Sequence, residues 1–296
     1  MAVAAGPVPG TLSASGSVAR RQAISRASRY VFLAAALLGV AMLAYLTFET
    51  LSKGARWVSW DFVTSYPSRF PDRAGIRSAV IGTAWILGTT TAVAFPVAIG
   101  TAIWIEEFAP RNRVLSIVKL NLANLAGVPS IIYGILGLAI FVRYFDLGPS
   151  ILAGALTLSL MIMPMTVIAA QEAIRQVPQS IRDGSLALGA THWQTVRHHV
   201  LPAAMPGIMT GIILALSRAA GETAALIMTG AFAFIAFDNT SLSEDYTVVP
   251  IQIYDWTTRP QQVFRELAAA AIIVLMIGVL SLNLLAAIIR ERFRRD

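Results

Sequence analysis

The stretch Asp183-Gly184-Ser185-Leu186-Ala187-Leu188-Gly189, with His199-Val200-Leu201-Pro202 beginning ten residues after its last glycine, decides the reading of this chain. It is polar and lies between two strongly apolar segments. Helix formers lead up to Gly189, a second amphipathic piece follows, and Pro202 stands before the next apolar run. Gly at the end of one helix and Pro at the start of the next segment are turn punctuation. The spacing predicts helix, turn and helix on one membrane surface, in a connection over residues 171–202.

Working outward, the composition asks for a membrane. Of 296 residues 56% are hydrophobic and 13% charged, and the mean hydropathy is +0.67. A soluble domain carries about 25% charged residues. A soluble fold of this length would expose too much apolar surface, so the chain reads as an integral membrane protein. Cysteine is absent, which excludes disulfides, thiolate metal sites and a cysteine nucleophile. The formal charge of +7 could suggest nucleic acid. The arginines flank apolar runs instead of forming a basic domain, so they read as loop and tail residues at a lipid surface, with no nucleic-acid partner.

Residues 1–29 are rich in Ala, Gly, Ser and Pro and then carry Arg20, Arg21, Arg26 and Arg29. They read as a disordered cytoplasmic tail. Residues 30–296 read as one transmembrane domain, with helices at about 30–48, 78–105, 120–142, 150–170, 203–235 and 267–289. The fifth is over-long, so part of it leaves the membrane or tilts. Pro96, Pro129, Pro164 and Pro206 mark kinks. The fold class is therefore an all-α polytopic membrane protein. With the N-terminus inside, inner segments hold fourteen Lys and Arg against eight in outer segments, and the last, Arg218, lies within a span. That bias puts both termini and residues 171–202 in the cytoplasm. The outer segment Phe237–Arg265 interleaves Asp238, Glu244, Asp245 and Asp255 with Tyr246, Tyr254 and Trp256. It reads as an interfacial loop with its aromatic belt, or as a docking surface for an extracytoplasmic partner.

Arg218 and Glu222 are spaced i, i+4 inside the fifth span, which puts both on one helix face. A charge deep in a bilayer costs at least about 2.5–3.5 kcal/mol. Two readings stand: a structural ion pair, or a gate whose guanidinium meets an oxyanion while Glu222 and Thr223 sit beside it. Gly221 would allow close helix approach. In the third span, Val128-Pro129-Ser130-Ile131-Ile132-Tyr133-Gly134 places Ser130 and Tyr133 either on a pathway or on a kinked, closely packed helix. His192, His198 and His199 lack the spacing of metal ligands, and Glu106-Glu107 read as a solvated helix end. With lysine only at 53 and 119, no phosphate-binding loop is present, nor any nucleophile elbow. No catalytic residue and no bound metal are expected in this chain.

The residues from Ser185 to Thr195, Leu201-Pro202-Ala203-Ala204-Met205-Pro206-Gly207, Arg218-Ala219-Ala220-Gly221-Glu222-Thr223-Ala224, Leu125 to Gly134, and Ile251-Gln252-Ile253-Tyr254-Asp255-Trp256 resemble the A-type permeases of the bacterial phosphate-specific ABC importers. The resemblance covers about residues 57–290. The connection is similar to the Glu-Ala-Ala loop of ABC importer permeases. Gly189, Leu201 and Pro202 agree with that loop; Asp183 stands for Glu, Gly184 and Ser185 for the alanines, and His199 for Ile. Ala225 departs from a usual Pro.

The resemblance implies a type I ABC importer permease with six transmembrane helices in a bacterial inner membrane. It implies a related second permease, an ATPase dimer that uses ATP and Mg, and an extracytoplasmic phosphate-binding protein. Asp183, Gly184, Ser185, Gly189, Leu201 and Pro202 would dock on the ATPase. A permease for sulfate, molybdate or tungstate would share these features. An ATP-independent channel or secondary transporter would not need the loop.

Overall fold

Long apolar runs become long helices. A computed structural model describes residues 16–232 and 234–295. Among them the regular structure is helical, apart from one isolated bridge between Ser150 and Asp245. In chain order the helices are α1 (Gly16–Gly54), α2 (Trp60–Thr64), α3 (Arg77–Ile103), α4 (Arg113–Ala126), α5 (Ser130–Gly137), α6 (Ile151–Arg175), α7 (Gln179–Ala187), α8 (His192–Thr195), α9 (Leu201–Ala220), α10 (Ala224–Met228), α11 (Val249–Thr258) and α12 (Gln262–Arg295). Among the described residues five helical runs are long and apolar enough to cross a bilayer, or six if the bent pair Arg113–Ala126 and Ser130–Tyr144 is one span.

The chain divides into two compact units, one up to Glu49 and one from Thr50. In the first, α1 begins at Gly16, so half of the stretch expected as a disordered tail is helical. Helix nucleation is the costly step. Once the apolar segment is helical, Ala, Arg and Gln before it extend it cheaply. Residues 1–15 lie outside the described residues. Phe32, Leu43 and Phe48 of α1 are exposed apolar side chains, as a helix facing a non-aqueous medium has.

In the second unit α3, α6 and α9 pack together, with α5 and α10 beside α6. Ile86, Ala94, Leu158, Ile162, Ile208 and Ala215 form its centre. Helices α6 and α9 come close because small residues face each other. A Cβ on Gly207 would stand 2.7 Å from that of Ala173, and one on Gly211 2.6 Å from that of Ala169. This small-residue ladder is how membrane helices gain dispersion contacts without a hydrophobic driving force. A second cluster joins Phe62, Ile76, Trp256, Phe264 and Leu267 of α2, the start of α3, α11 and α12.

Three expected elements are corrected. The span expected at 120–142 is not a kinked helix but two helical runs at 101°, α4 and the run Ser130–Tyr144 that α5 begins. Gly127 ends α4, and Pro129 disfavours helical backbone at Val128. The run expected at 203–235 begins earlier and ends earlier. Helix is continuous from His192 through Ala220, so Leu201 and Pro202 lie within it. A widened turn over Val196–Val200, with the Leu201 N–H bonded to the Val196 carbonyl, absorbs Pro202. That proline has no N–H for the carbonyl of His198. The helix stops at Gly221 and restarts as the short α10. Third, the aromatic belt of the outer segment is largely core: Tyr246 and Trp256 are fully buried, and only Tyr254 is exposed. The Tyr246 hydroxyl meets that of Thr229 at 2.9 Å, and burial pushes its phenol pKa up. The Arg77 guanidinium, 2.9 Å from Asp238, holds that carboxyl below the usual carboxylate range.

Candidate functional site

The connection between α6 and α9 is built as the sequence suggests, over a shorter length. Arg175 ends α6, and Pro178 precedes α7. At the other end of α7 the Ala190 N–H bonds the Ser185 carbonyl at 3.2 Å and the Gly189 N–H bonds Leu186 at 3.0 Å. Those two bonds close a helix with a left-handed residue, and Gly189 has φ +85°. Thr191 then starts α8 with reciprocal bonds: its hydroxyl accepts from the Gln194 N–H at 3.3 Å, and its own N–H donates to the Gln194 side chain at 2.8 Å. The hydroxyls of Ser185 and Thr195 meet at 3.0 Å, so α7 and α8 are stapled.

Of the residues expected here, Ser185 is buried in that staple, while Asp183, Gly184 and Gly189 are exposed. Asp183 accepts from the Gln179 side chain at 3.0 Å. Leu201 is half-buried and Pro202 exposed, both in the first turn of α9 and not in the turn itself. The tip is apolar: Leu188 is 91% exposed, and Leu186 and Trp193 are exposed with it. The turn therefore offers leucine and tryptophan to its surroundings, with its backbone fixed by the caps on either side.

Glu106 and Glu107 are not a solvated helix end. After Ile103 the helix α3 widens over Trp104–Phe108, and the two carboxylates go to different partners. Glu107 has 4% of its side chain exposed and meets Arg182 of α7 at 2.7 Å. Arg182 also donates to the carbonyls of Val177 at 2.6 Å and Ile174 at 3.0 Å. The His192 ring nitrogen lies 2.8 Å from the Glu107 carbonyl, and the ring packs edge-on against Phe108. Glu106 takes Lys119 of α4 at 2.7 Å and Arg175 of α6 at 3.0 Å. The turn is thus tied to α3 through a half-buried, multiply bonded arginine. Adjacent acidic residues at a helix end gave no sign of this, because the two arginine partners lie 69 and 75 residues away.

Arg218 and Glu222 do not share a helix face. Arg218 is in the last turn of α9 and is exposed; Glu222 lies beyond the capping Gly221. They make no ion pair with each other among the described residues. Glu222 accepts from the Ala225 N–H at 3.2 Å and so caps α10. A Cβ on Gly221 would meet only its own helix end, so close approach is not its role. The breaks before α5 and α10 are brought together, since Gly134 of α5 packs on Ala225. Ser130 opens α5 and Thr223 precedes α10, both half-buried. Tyr133 is buried and donates to the Leu125 carbonyl at 2.8 Å, which bridges the bend.

Comparison with known proteins agrees with this architecture. Residues 94–295 match the family described as "Binding-protein-dependent transport system inner membrane component". A probable ABC transporter permease of Bacillus subtilis (strain 168), YqgI, is 31% identical over 86% of this chain and 90% of its own. The phosphate transport system permease protein PstA 1 of Mycobacterium tuberculosis (strain H37Rv) is 29% identical over 92% of this chain and 89% of its own. In fold, a bacterial ABC transporter for the import of alginate superposes with a TM-score of 0.62 at 18% identity, covering 92% of this chain and 99% of that one. A membrane chain of alternating long spans, with a capped turn locked to its core, belongs to the family of binding-protein-dependent transport system inner membrane components, the permease subunits of ABC transporters.

Proposed function

We propose that this chain is the permease subunit of an ATP-driven importer of inorganic phosphate, working beside a related second permease. An ATPase dimer docks on the α7–α8 turn and hydrolyses ATP with Mg. An extracytoplasmic phosphate-binding protein delivers the anion to the opposite face. This chain does no covalent chemistry. Both termini and the turn are cytoplasmic, in keeping with the basic bias of the segments on that side.

The observation that carries this reading is the exposed, Schellman-capped turn with Leu186, Leu188 and Trp193 at its tip. Closure of the ATPases displaces α7. Arg182 passes the displacement to Glu107 on α3, and the Ser185–Thr195 staple passes it to α8 and α9. Packed helices move as rigid bodies, so the pathway switches sides. Where α9 and α4 are interrupted, Arg218 offers a permanent charge with five donors, suited to a tetrahedral oxyanion. Ser130 and Thr223 lie at the two breaks, and Glu222 and Tyr133 hold their shape. Phosphate is preferred to sulfate, molybdate or tungstate because relatives along nearly the whole chain carry phosphate in their names.

Uptake of radiolabelled phosphate in a strain lacking the chain tests this. Restoring the gene should restore uptake, and excess sulfate or molybdate should not compete. Competition by either, with uptake of that anion, would move the substrate to another oxyanion.

A further inference from the structure

Beside the docking turn, at the same end of the bundle, lies a groove of about 630 Å³. Its walls are the widened end of α3, the first turn of α4 and the last turn of α6. Arg111, Arg113, Lys119 and Arg175 line it, against the single carboxylate of Glu106. Glu106 is already taken by Lys119 and Arg175. Arg111 and Arg113 are exposed and form no ion pair among the described residues. Asn112, Arg113 and Ser116 bring the positive end of the 14-residue α4 onto the same groove. Uncompensated guanidinium groups facing one hollow make a seat for an anion.

One more feature says which anion. Val114, Ile117 and Leu120 of α4 are 66%, 57% and 62% exposed. They set an apolar strip beside the cationic groove, at the polar end of a membrane-spanning helix. We propose that this groove binds the phosphate group of an anionic phospholipid, with the acyl chains along the strip. This goes beyond the transport reading and needs only the membrane-spanning fold.

The full-length chain in nanodiscs of phosphatidylcholine with added phosphatidylglycerol provides the test, read by native mass spectrometry of the lipids retained. The wild type should retain phosphatidylglycerol in preference to phosphatidylcholine. The variant Arg111→Ala with Arg113→Ala should bind it about 25-fold more weakly, at about fivefold for each basic residue near a membrane surface. Arg111→Lys with Arg113→Lys keeps the charge and should keep most of the binding, which controls for folding. Arg265→Ala, an exposed arginine at the other end of the bundle, should change nothing. Retention without headgroup preference, or equal retention in the double alanine variant, would overturn the proposal. So would inorganic phosphate binding in phosphatidylcholine-only discs with the same arginine dependence, because the anion would then be free phosphate.

Discussion

Glu107 and Arg182 carry the sharpest expectation at the scale of single residues. Their side chains are 4% and 13% exposed, and Arg182 also donates to the carbonyls of Val177 and Ile174. Removing one member of a buried pair costs about 3–5 kcal/mol, because the other is left charged and unpaired. Arg182→Met removes the carboxylate's arginine partner and one donor from each of the two carbonyls. Glu107→Gln leaves Arg182 bonded to the carbonyls. Thermal unfolding of the purified protein should therefore rank wild type, Glu107→Gln and Arg182→Met in falling order. Equal midpoints would mean that the tie between α3 and α7 is not stabilising. Tyr133→Phe should cost about 1 kcal/mol, the worth of one net hydrogen bond, through loss of the bond across the α4–α5 bend. The sequence offered Tyr133 either as a pathway residue or as part of a kinked, closely packed helix, but did not point to this bond. A hydroxyl reaching a carbonyl eight residues back requires the chain to fold on itself, and periodicity carries no such information.

At the scale of elements, helices were legible where an unbroken apolar run is also an unbroken helix. Both α6 and α12 fall where expected; the C-terminal end of α6 and both ends of α12 lie a few residues further out, because polar residues such as Gln171, Glu172 and Gln262 continue a helix at little cost. The reading went astray where a run is apolar throughout yet interrupted. Hydropathy does not register the backbone, so α4–α5 and α9–α10 each looked like one span. Gly127-Val128-Pro129 and Gly221 held the signal. The second break changes the chemistry of the site, because it removes Glu222 from the face of Arg218. A double-mutant cycle with Arg218→Leu and Glu222→Leu should then be additive to within about 0.5 kcal/mol, as for groups without direct contact. A coupling of several kcal/mol would restore the ion pair that the i, i+4 spacing suggested. In the same series Arg218→Leu alone should abolish phosphate uptake while the chain stays abundant in the membrane.

For the whole molecule, the positive charge and the docking turn make a joint statement about orientation. Reporter fusions after Asp296 and within residues 241–247 should lie on opposite sides of the membrane, with the first on the cytoplasmic side. The same side for both would break the topology and move the turn away from any ATPase. The turn itself was the most legible part of the chain, since Gly189 at φ +85° is a local requirement that a sequence can state by itself. Its anchorage on Glu107 was hidden, because that contact exists only after α3 and α6 have packed. Coupling through this turn is most directly measured by following ATP hydrolysis and phosphate uptake together in proteoliposomes that hold the complete transporter with Gly189→Val. Valine in a left-handed conformation costs about 1–2 kcal/mol, so the tip rearranges while the bundle stays folded. Hydrolysis should continue while uptake falls by at least about tenfold, a loss equal to about 1.4 kcal/mol of coupling. Uptake and hydrolysis both at wild-type levels would contradict a coupling role for α7.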